Sequence, residues 1–269
     1  HRNLSVIFSD GLLEDKWAFV YGLQEKLGSS FPLIGASASD NLAFKRTYVY
    51  FNQEVINDAA CGILWGGKLN FGLGIKHGWK PLGKLRAVTQ SSANIIKKID
   101  GKMAIHLYQD YFAKTLSELR KEILYTNILY PFGIRLPGEN EYLLRNIISL
   151  NDDGSVVAQG DVPEGSQVRL MIATKDSCLE ATRQAALQLK INMRDKKISC
   201  AIVMNSISRA WILKKHNIDE IKIIRGILGN EVPLAGLYTF GEYAPLKTFS
   251  YYGQSYLHNQ TITILGLGG

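Results

Sequence analysis

Two charged residues in the C-terminal half have the chemistry to hold a small ligand. Glu242 follows an apolar stretch in the sequence Thr-Phe-Gly-Glu, and its carboxylate can accept hydrogen bonds from a ligand amine. Arg209 can bind a ligand carboxylate through two donor groups of its guanidinium. A purely structural role, without ligand binding, is an equal alternative for both residues. Glu242 would then be a cap or a surface acid, and Arg209 would form a surface ion pair worth about 0–1 kcal/mol.

One histidine and two aromatic residues extend this set. His77 lies in His-Gly-Trp, and histidine titrates near neutral pH, so it can contact a ligand or exchange a proton. Trp79 and Tyr238 can line a pocket by stacking. The alternative for His77 is a packed, hydrogen-bonded structural residue, and for the two aromatic residues it is a place in the core.

Metal, cofactor and catalytic motifs are missing from the sequence. It contains neither the glycine-rich dinucleotide motif nor the P-loop motif, and its serine, histidine and aspartate residues follow no catalytic order. The histidines are isolated, so no metal ligands have the usual spacing. We therefore predict no catalytic residue, no cofactor and no metal. The histidines are His1, His77, His106, His216 and His258.

Composition excludes several classes of protein. The chain has 269 residues, of which 46% are hydrophobic and 20% charged, as in ordinary globular proteins. No apolar run approaches the roughly 18 residues of a membrane-spanning helix. The net charge of +7 is spread over single and paired basic residues, which makes nucleic acid an unlikely partner. Three widely spaced cysteines indicate a reducing compartment, so we expect a cytoplasmic location.

The two ends of the chain resemble each other at a constant offset. Pro-Leu-Ile-Gly at 32–35 matches Pro-Leu-Ala-Gly at 233–236, which is 201 residues later, and Thr-Tyr-Val-Tyr-Phe-Asn-Gln at 47–53 matches Thr-Phe-Ser-Tyr-Tyr-Gly-Gln at 248–254. This pattern predicts an internal duplication with an insert from about 68 to 197. Clefts between related modules are common ligand sites. The loops after the two repeats, 37–40 and 238–242, add Ser37, Asp40 and Thr239 to the candidates.

Short apolar runs, helical periodicity and turn signals alternate along the chain. They predict an α/β (α+β) fold of two pseudo-symmetric mixed-sheet modules with flanking helices. The pattern lacks the eight regular strand–helix units of a TIM barrel. Individual predictions include helices over 94–99 and 104–124 and a hairpin formed by strands 47–51 and 55–65.

Motifs along most of the chain resemble the FIST sensory domain family, in both its N-terminal and C-terminal parts. The segments that resemble the family are Phe8–Gly11, Pro32–Asp40, His77–Gly83, Val88-Thr89, Asp100–Ala104, Tyr130–Ile134, Asp152–Leu170, Pro233–Glu242 and His258–Thr261. The resemblance implies an N-type domain over 1–105 and a C-type domain over 106–269. It also implies a role in intracellular signal transduction, with a small ligand such as an amino acid and an output or signalling protein as partners.

Two departures from the family pattern qualify this resemblance. Relatives usually have additional sequence before the Phe-Ser-Asp-Gly segment, so we expect the chain to be truncated at its start. A loop that usually carries a cysteine and an arginine reads Asn-Ser-Ile-Ser-Arg at 205–209, which adds Asn205 to the candidates. Asn259, after His258, is a turn residue or a further site residue.

Three functions compete at this stage. The first is a sensor that binds a small metabolite in an interdomain cleft through the residues named above. The second is a module that docks a protein partner through its basic surface or an apolar patch. The third is an enzyme that acts on a small metabolite with His77 or Glu242 as the acid–base group.

Overall fold

The fold is described from a computed structural model, which covers residues 2–136, 142–246 and 253–269. The helices, in chain order α1–α6, are Lys16–Leu27, His106–Phe112, Leu116–Leu129, Lys175–Met193, Ile207–Leu213 and Asn217–Leu228. The strands, in chain order β1–β18, are Arg2–Ser9, Leu33–Ala38, Val49–Phe51, Glu54–Ile56, Ala60–Gly66, Asn70–Lys76, Lys80–Ser92, Ile95–Ile99, Lys102–Met103, Phe132–Arg135, Leu143–Arg145, Ile147–Leu150, Val156–Ala158, Gln167–Ile172, Cys200–Ser206, Leu234–Pro245, Ser255–His258 and Ile262–Gly268.

The chain forms two compact units. Unit 1 contains the described residues of 1–78 and 175–269, and unit 2 contains those of 79–174. Unit 2 is therefore inserted into unit 1, and it falls within the segment that the sequence repeat marks as an insert. The mixed α/β class is confirmed, with each unit organised around its own sheet.

Unit 1 is organised around a mixed sheet in the order β5-β1-β2-β16-β15-β18-β6, with β17 beside β16. The pairs β1–β2 and β15–β16 are parallel, and they join through an antiparallel contact between β2 and β16. Strands β1 and β2 are buried along almost their whole described length, because both of their faces are covered. Apolar clusters pack this unit, and Leu4, Ile34, Val20 and Ile264 are among their fully buried members.

Helix α4 packs closely on the β6 edge of this sheet. A Cβ atom on Gly74 would lie 1.8 Å from the carbonyl oxygen of Ala185, so this contact requires glycine. Two polar side chains of the helix bond to the strand: Gln188 Oε1 accepts from the Ile75 N–H at 2.9 Å, and Asn192 Nδ2 donates to the Leu73 carbonyl at 2.6 Å. The helix therefore satisfies backbone groups that an edge strand would otherwise expose.

Unit 2 has an antiparallel sheet in the order β11-β10-β14-β7-β8-β13-β12, with β9 beside β8. Helices α2 and α3 cover it, and an apolar cluster that includes Tyr108, Leu119 and Phe132 lies in its core. Helix α3 begins with a capping box, in which the Thr115 hydroxyl accepts from the Glu118 N–H and the Glu118 carboxylate accepts from the Thr115 N–H.

Three local predictions are wrong. Residues 94–99, predicted as a helix, form strand β8, because their isoleucines pair with β7 and β13 and Asp100-Gly101 makes a turn with both φ angles positive. The helix over 104–124 is two helices, separated at Ala113 with φ 51°. The strand over 55–65 is β4 and β5, separated at Asp58 with φ 51°. The predicted match at 248–254 lies mostly outside the described residues.

Candidate functional site

The carboxyl ends of the parallel strands in unit 1 bring polar residues to the middle of the sheet. Strand β2 ends next to β16, with Ala38 opposite Thr239 and Ser37 opposite Gly241. Strand β15 runs parallel to the first half of β16, with Asn205 opposite Tyr238. Ligands of open α/β sheets bind outside such carboxyl ends, where the strand direction changes. This part of the sheet is therefore the expected position of a ligand site.

A buried ion pair lies beside the end of β15. Arg209 and Glu220 are both almost inaccessible to solvent, and Arg209 Nη2 is 2.6 Å from Glu220 Oε1. Thr182 donates to the same oxygen at 2.7 Å, and Asn205 Nδ2 donates to the other oxygen at 2.7 Å. We call these four residues the Arg209 network. It joins strand β15 to helices α4, α5 and α6.

The guanidinium of Arg209 is committed to protein acceptors. Its Nε donates to Asn205 Oδ1 at 2.9 Å, its Nη1 to the His77 carbonyl at 2.6 Å, and its Nη2 to the Cys178 carbonyl at 2.8 Å. A buried charge of this kind requires its partner, because an unpaired charge in the interior is very costly. The contacts make Arg209 a residue that positions Asn205 and Glu220.

A groove lies against this network, between helix α6 and strands β15 and β16. It has a volume of about 300 Å³, at the small end of the roughly 300–1,000 Å³ of small-molecule sites. Asn205, Glu220, Asn217 and Tyr238 are polar members of its lining, and Arg225 is a charged one. The apolar members of the lining include Val203, Ile221, Ile224, Leu234 and Leu237. We call it the α6 groove.

The polar groups of the α6 groove affect the pKa of Tyr238 and share hydrogen bonds with the Glu220 carboxylate. Partial burial and the nearby Glu220 carboxylate raise the pKa of Tyr238, and a hydrogen bond with Asn217 opposes that change. Glu220 accepts three hydrogen bonds, whereas an ionised carboxylate has about four acceptor positions. By this count, about one acceptor position of the Glu220 carboxylate has no donor among these three contacts.

Glu242 forms a second buried cluster, on β16. It is fully buried, and its Oε2 accepts from the Thr261 N–H at 3.1 Å and the Thr261 hydroxyl at 2.6 Å. Its Oε1 accepts from the Thr239 hydroxyl. Burial raises the pKa of Glu242 to about 7, and the hydrogen bonds from the two threonines oppose that rise. Near neutral pH this carboxyl group is divided between its protonated and ionised forms.

Comparison with known families assigns the chain. A FIST N domain model matches residues 2–102, and a FIST C domain model matches residues 104–245. The chain belongs to the FIST family. FIST domains are associated with sensory signal transduction, so the role in signalling that the motifs imply is supported at this general level.

The FIST chain is also similar to curated proteins from distant organisms. It is 24% identical over 178 residues to an uncharacterized protein of Methanocaldococcus jannaschii. The aligned region covers 62% of this chain and 34% of that protein. It is 23% identical over 267 residues to an uncharacterized protein of Mycobacterium tuberculosis. The aligned region covers 94% of this chain and 66% of that protein. The chain thus spans between about a third and two thirds of the length of these relatives.

The predicted site residues of the FIST chain fall into separate places. Asn205 and Tyr238 line the α6 groove, and Arg209 holds one of its walls. Thr239 and Glu242 share the second cluster. His77 contributes its carbonyl to Arg209, while burial and the positive charges of Lys76 and Arg209 lower the pKa of its imidazole to about 4. These contacts all lie within unit 1.

Four other predicted residues of the FIST chain make structural contacts. Asp40 accepts hydrogen bonds from three successive backbone N–H groups, of residues 44–46, at 2.6–3.1 Å. Ser37 donates to the Gly241 carbonyl at 3.4 Å, and Asn259 donates to the His258 carbonyl at 3.1 Å. Trp79 belongs to unit 2, where it is buried and donates to the Ile128 carbonyl at 3.2 Å.

Glu220 is not among the residues predicted from the sequence, although a signal for it exists. Glu220, Ile224 and Leu228 are spaced four residues apart, and all three are buried on one side of helix α6. An acidic residue at the first position of an apolar helical stripe must have a partner when the stripe is buried. Thr182, Asn217 and Thr261 carry no comparable signal, because single polar residues of these types are common on surfaces.

Two further findings concern the described part of the FIST chain. Across residues 2–136, 142–246 and 253–269, no group of three or more His, Cys, Asp or Glu side chains is placed to hold a metal ion. Over the same ranges, no helix is long and apolar enough to cross a membrane.

Proposed function

We propose that this FIST chain is a non-catalytic sensory domain that binds an amino acid or a similarly small metabolite in the α6 groove. The observation that carries the proposal is the meeting of Asn205, Tyr238 and Glu220 at one groove of about 300 Å³. Two of these residues are sequence-predicted candidates, and the third is held by a predicted candidate, Arg209. Small-molecule sites combine an apolar lining with a few placed polar groups, as this groove does.

The charges in the lining favour a zwitterionic ligand. Glu220 can accept a hydrogen bond from a ligand ammonium group, and Arg225 can donate to a ligand carboxylate. Arg225 Nη1 donates to the Asn230 carbonyl at 2.9 Å, which leaves other donors of its guanidinium for an anion. The apolar residues of the groove, among them Ile221 and Leu237, would then contact an aliphatic or aromatic side chain.

Binding in this groove would act on contacts that hold helix α6 in place. Helix α6 is one wall, and Glu220 ties that helix to α4, α5 and β15 through the Arg209 network. A ligand that bonds to Glu220 competes with or adds to those contacts, so it favours one position of α6 over another. Differential contact with two states is what a ligand needs to shift a population.

A thermal-unfolding screen against the twenty amino acids and related amines and acids tests the proposal. A ligand present at 100 times its dissociation constant adds about 2.7 kcal/mol of stability. At about 2–4 °C per kcal/mol, this predicts a rise of roughly 5–10 °C in the midpoint. The substitution Arg225→Gln should abolish the shift for a ligand that has a carboxylate. Lys222→Gln is the matched control, since it removes an exposed cation from the same helix outside the groove.

The exposed apolar residues at the groove favour a second function, docking of a protein partner. Ile221 and Leu237 line the groove and are each more than a third exposed, as is Ile218 on the same helix α6. A screen in which no small molecule raises the midpoint, or a shift by a carboxylate ligand that Arg225→Gln leaves unchanged, contradicts the small-ligand proposal. The first of these results would direct the search to a peptide that covers the three apolar residues.

A further inference from the structure

Apart from β17, the strand order of unit 1 is symmetric about the β2–β16 contact, except that one end carries an additional strand. Strand β5 lies antiparallel to β1, which is parallel to β2, and β18 lies antiparallel to β15, which is parallel to β16. Because β2 and β16 meet in the middle, β5 and β18 occupy equivalent positions. The outer side of β18 carries an antiparallel strand, β6, paired over seven residues. Among the described strands, the outer side of β5 carries none.

The backbone of β5 is correspondingly uncovered. The β6 edge is bonded to Gln188 and Asn192 of helix α4, as described above. For Ala60–Gly66, the backbone hydrogen bonds within the described part of the chain are those to β1. An edge strand with free N–H and C=O groups is a template for pairing with another strand.

The side chains of β5 also fit a partner strand. The segment Ala60–Gly66 contains no charged residue and no proline, the usual features that protect an edge. Ile63 is 54% exposed and Leu64 is 45% exposed. Tyr50 of the β3–β4 hairpin, which is 72% exposed, lies next to this edge, because Cys61 Sγ donates to its carbonyl at 3.2 Å.

We infer that the β5 edge binds an extended apolar segment of about seven residues, added antiparallel as β6 is added to β18. Main-chain hydrogen bonds would supply the affinity, as in other cases of strand addition. Ile63 and Leu64 point to opposite faces of the sheet, since successive residues of a strand alternate. The bound segment therefore needs uncharged residues on both faces, as the Phe-Gly-Leu-Gly-Ile core of β6 has.

The test uses a fluorescein-labelled peptide with the sequence of Asn70–Lys76, the strand that occupies the equivalent position. We expect its fluorescence anisotropy to rise saturably with the concentration of the full chain. Ile63→Lys should weaken binding at least about tenfold, because it places a charge where an apolar side chain must pack. Ile191→Lys is the control, since Ile191 is 61% exposed on helix α4, away from this edge.

A second peptide, with Gly74→Pro, lacks an N–H that faces the partner strand in the β6 arrangement, since the neighbouring Leu73 and Ile75 backbone groups face α4 instead, so it should not bind. Circular dichroism of Ile63→Lys verifies that the fold is intact. Absence of saturable binding by the first peptide, or equal binding to wild type and Ile63→Lys, overturns the inference. A third result would also overturn the inference: the peptide fails to bind, the wild-type chain sediments as a dimer, and Ile63→Lys dissociates that dimer. The occupant of the β5 edge would then be a second copy of the chain.

Discussion

Replacement of Glu220 by glutamine is the sharpest test of the Arg209 network. The substitution keeps the size of the side chain but removes the negative charge next to Arg209, which is fully buried. The remaining guanidinium charge would have no anionic partner at 2.6 Å. Loss of one member of a buried pair costs about 3–5 kcal/mol. We therefore expect the free energy of unfolding of unit 1 to fall by that amount, and its midpoint by roughly 6–20 °C.

A matched control is present in the same unit. Arg183 and Glu180 form an ion pair at the same separation of 2.6 Å, but both side chains are about half exposed. Glu180→Gln should therefore change stability far less than Glu220→Gln, because water solvates the charge that remains. The difference between the two variants isolates burial as the cause.

The assay is urea and thermal denaturation followed by two probes. Far-ultraviolet circular dichroism and tryptophan fluorescence should be compared, because two compact units need not unfold in one transition. The double variant Arg209→Met/Glu220→Met removes the unpaired charge but also leaves Asn205 and the His77 and Cys178 carbonyls without these partners, so it should recover only part of the loss. A loss below about 1 kcal/mol for Glu220→Gln, or one equal to that of Glu180→Gln, would refute the reasoning.

Two further predictions concern the other cluster and unit 2. Burial raises the pKa of Glu242 to about 7 in the folded state, above the usual value. As pH rises from 4.5 to 7, the free energy of unfolding of the wild type should therefore fall by about 3 kcal/mol relative to that of Glu242→Gln. Equilibrium denaturation of both proteins between pH 5 and 8 checks this, and parallel pH profiles would contradict it. Thr115→Ala should destabilise unit 2 by about 1 kcal/mol through loss of the capping box, whereas Ser117→Ala on the same exposed turn should have little effect. Denaturation midpoints compare the two, and equal midpoints would mean that the cap contributes nothing.

Local patterns were sufficient to predict many elements but not those that depend on neighbours. Strand β1, helix α1 and strand β2 follow from an apolar run, helical periodicity and a second apolar run. Residues 94–99 show why this fails elsewhere. Their isoleucines suit a helix face or a strand equally, and only pairing with β7 and β13 selects the strand.

The site divides in the same way. The sequence alone determined the family, the mixed α/β class and the candidates Asn205, Arg209 and Tyr238, because these depend on residue types and their order. The tertiary structure decided that Arg209 bonds to Glu220 instead of facing a ligand, and that the α6 groove forms beside them. The physical reason is that a buried charge acquires its partners from separate helices, and neither the partners nor a groove between elements is encoded in local spacing.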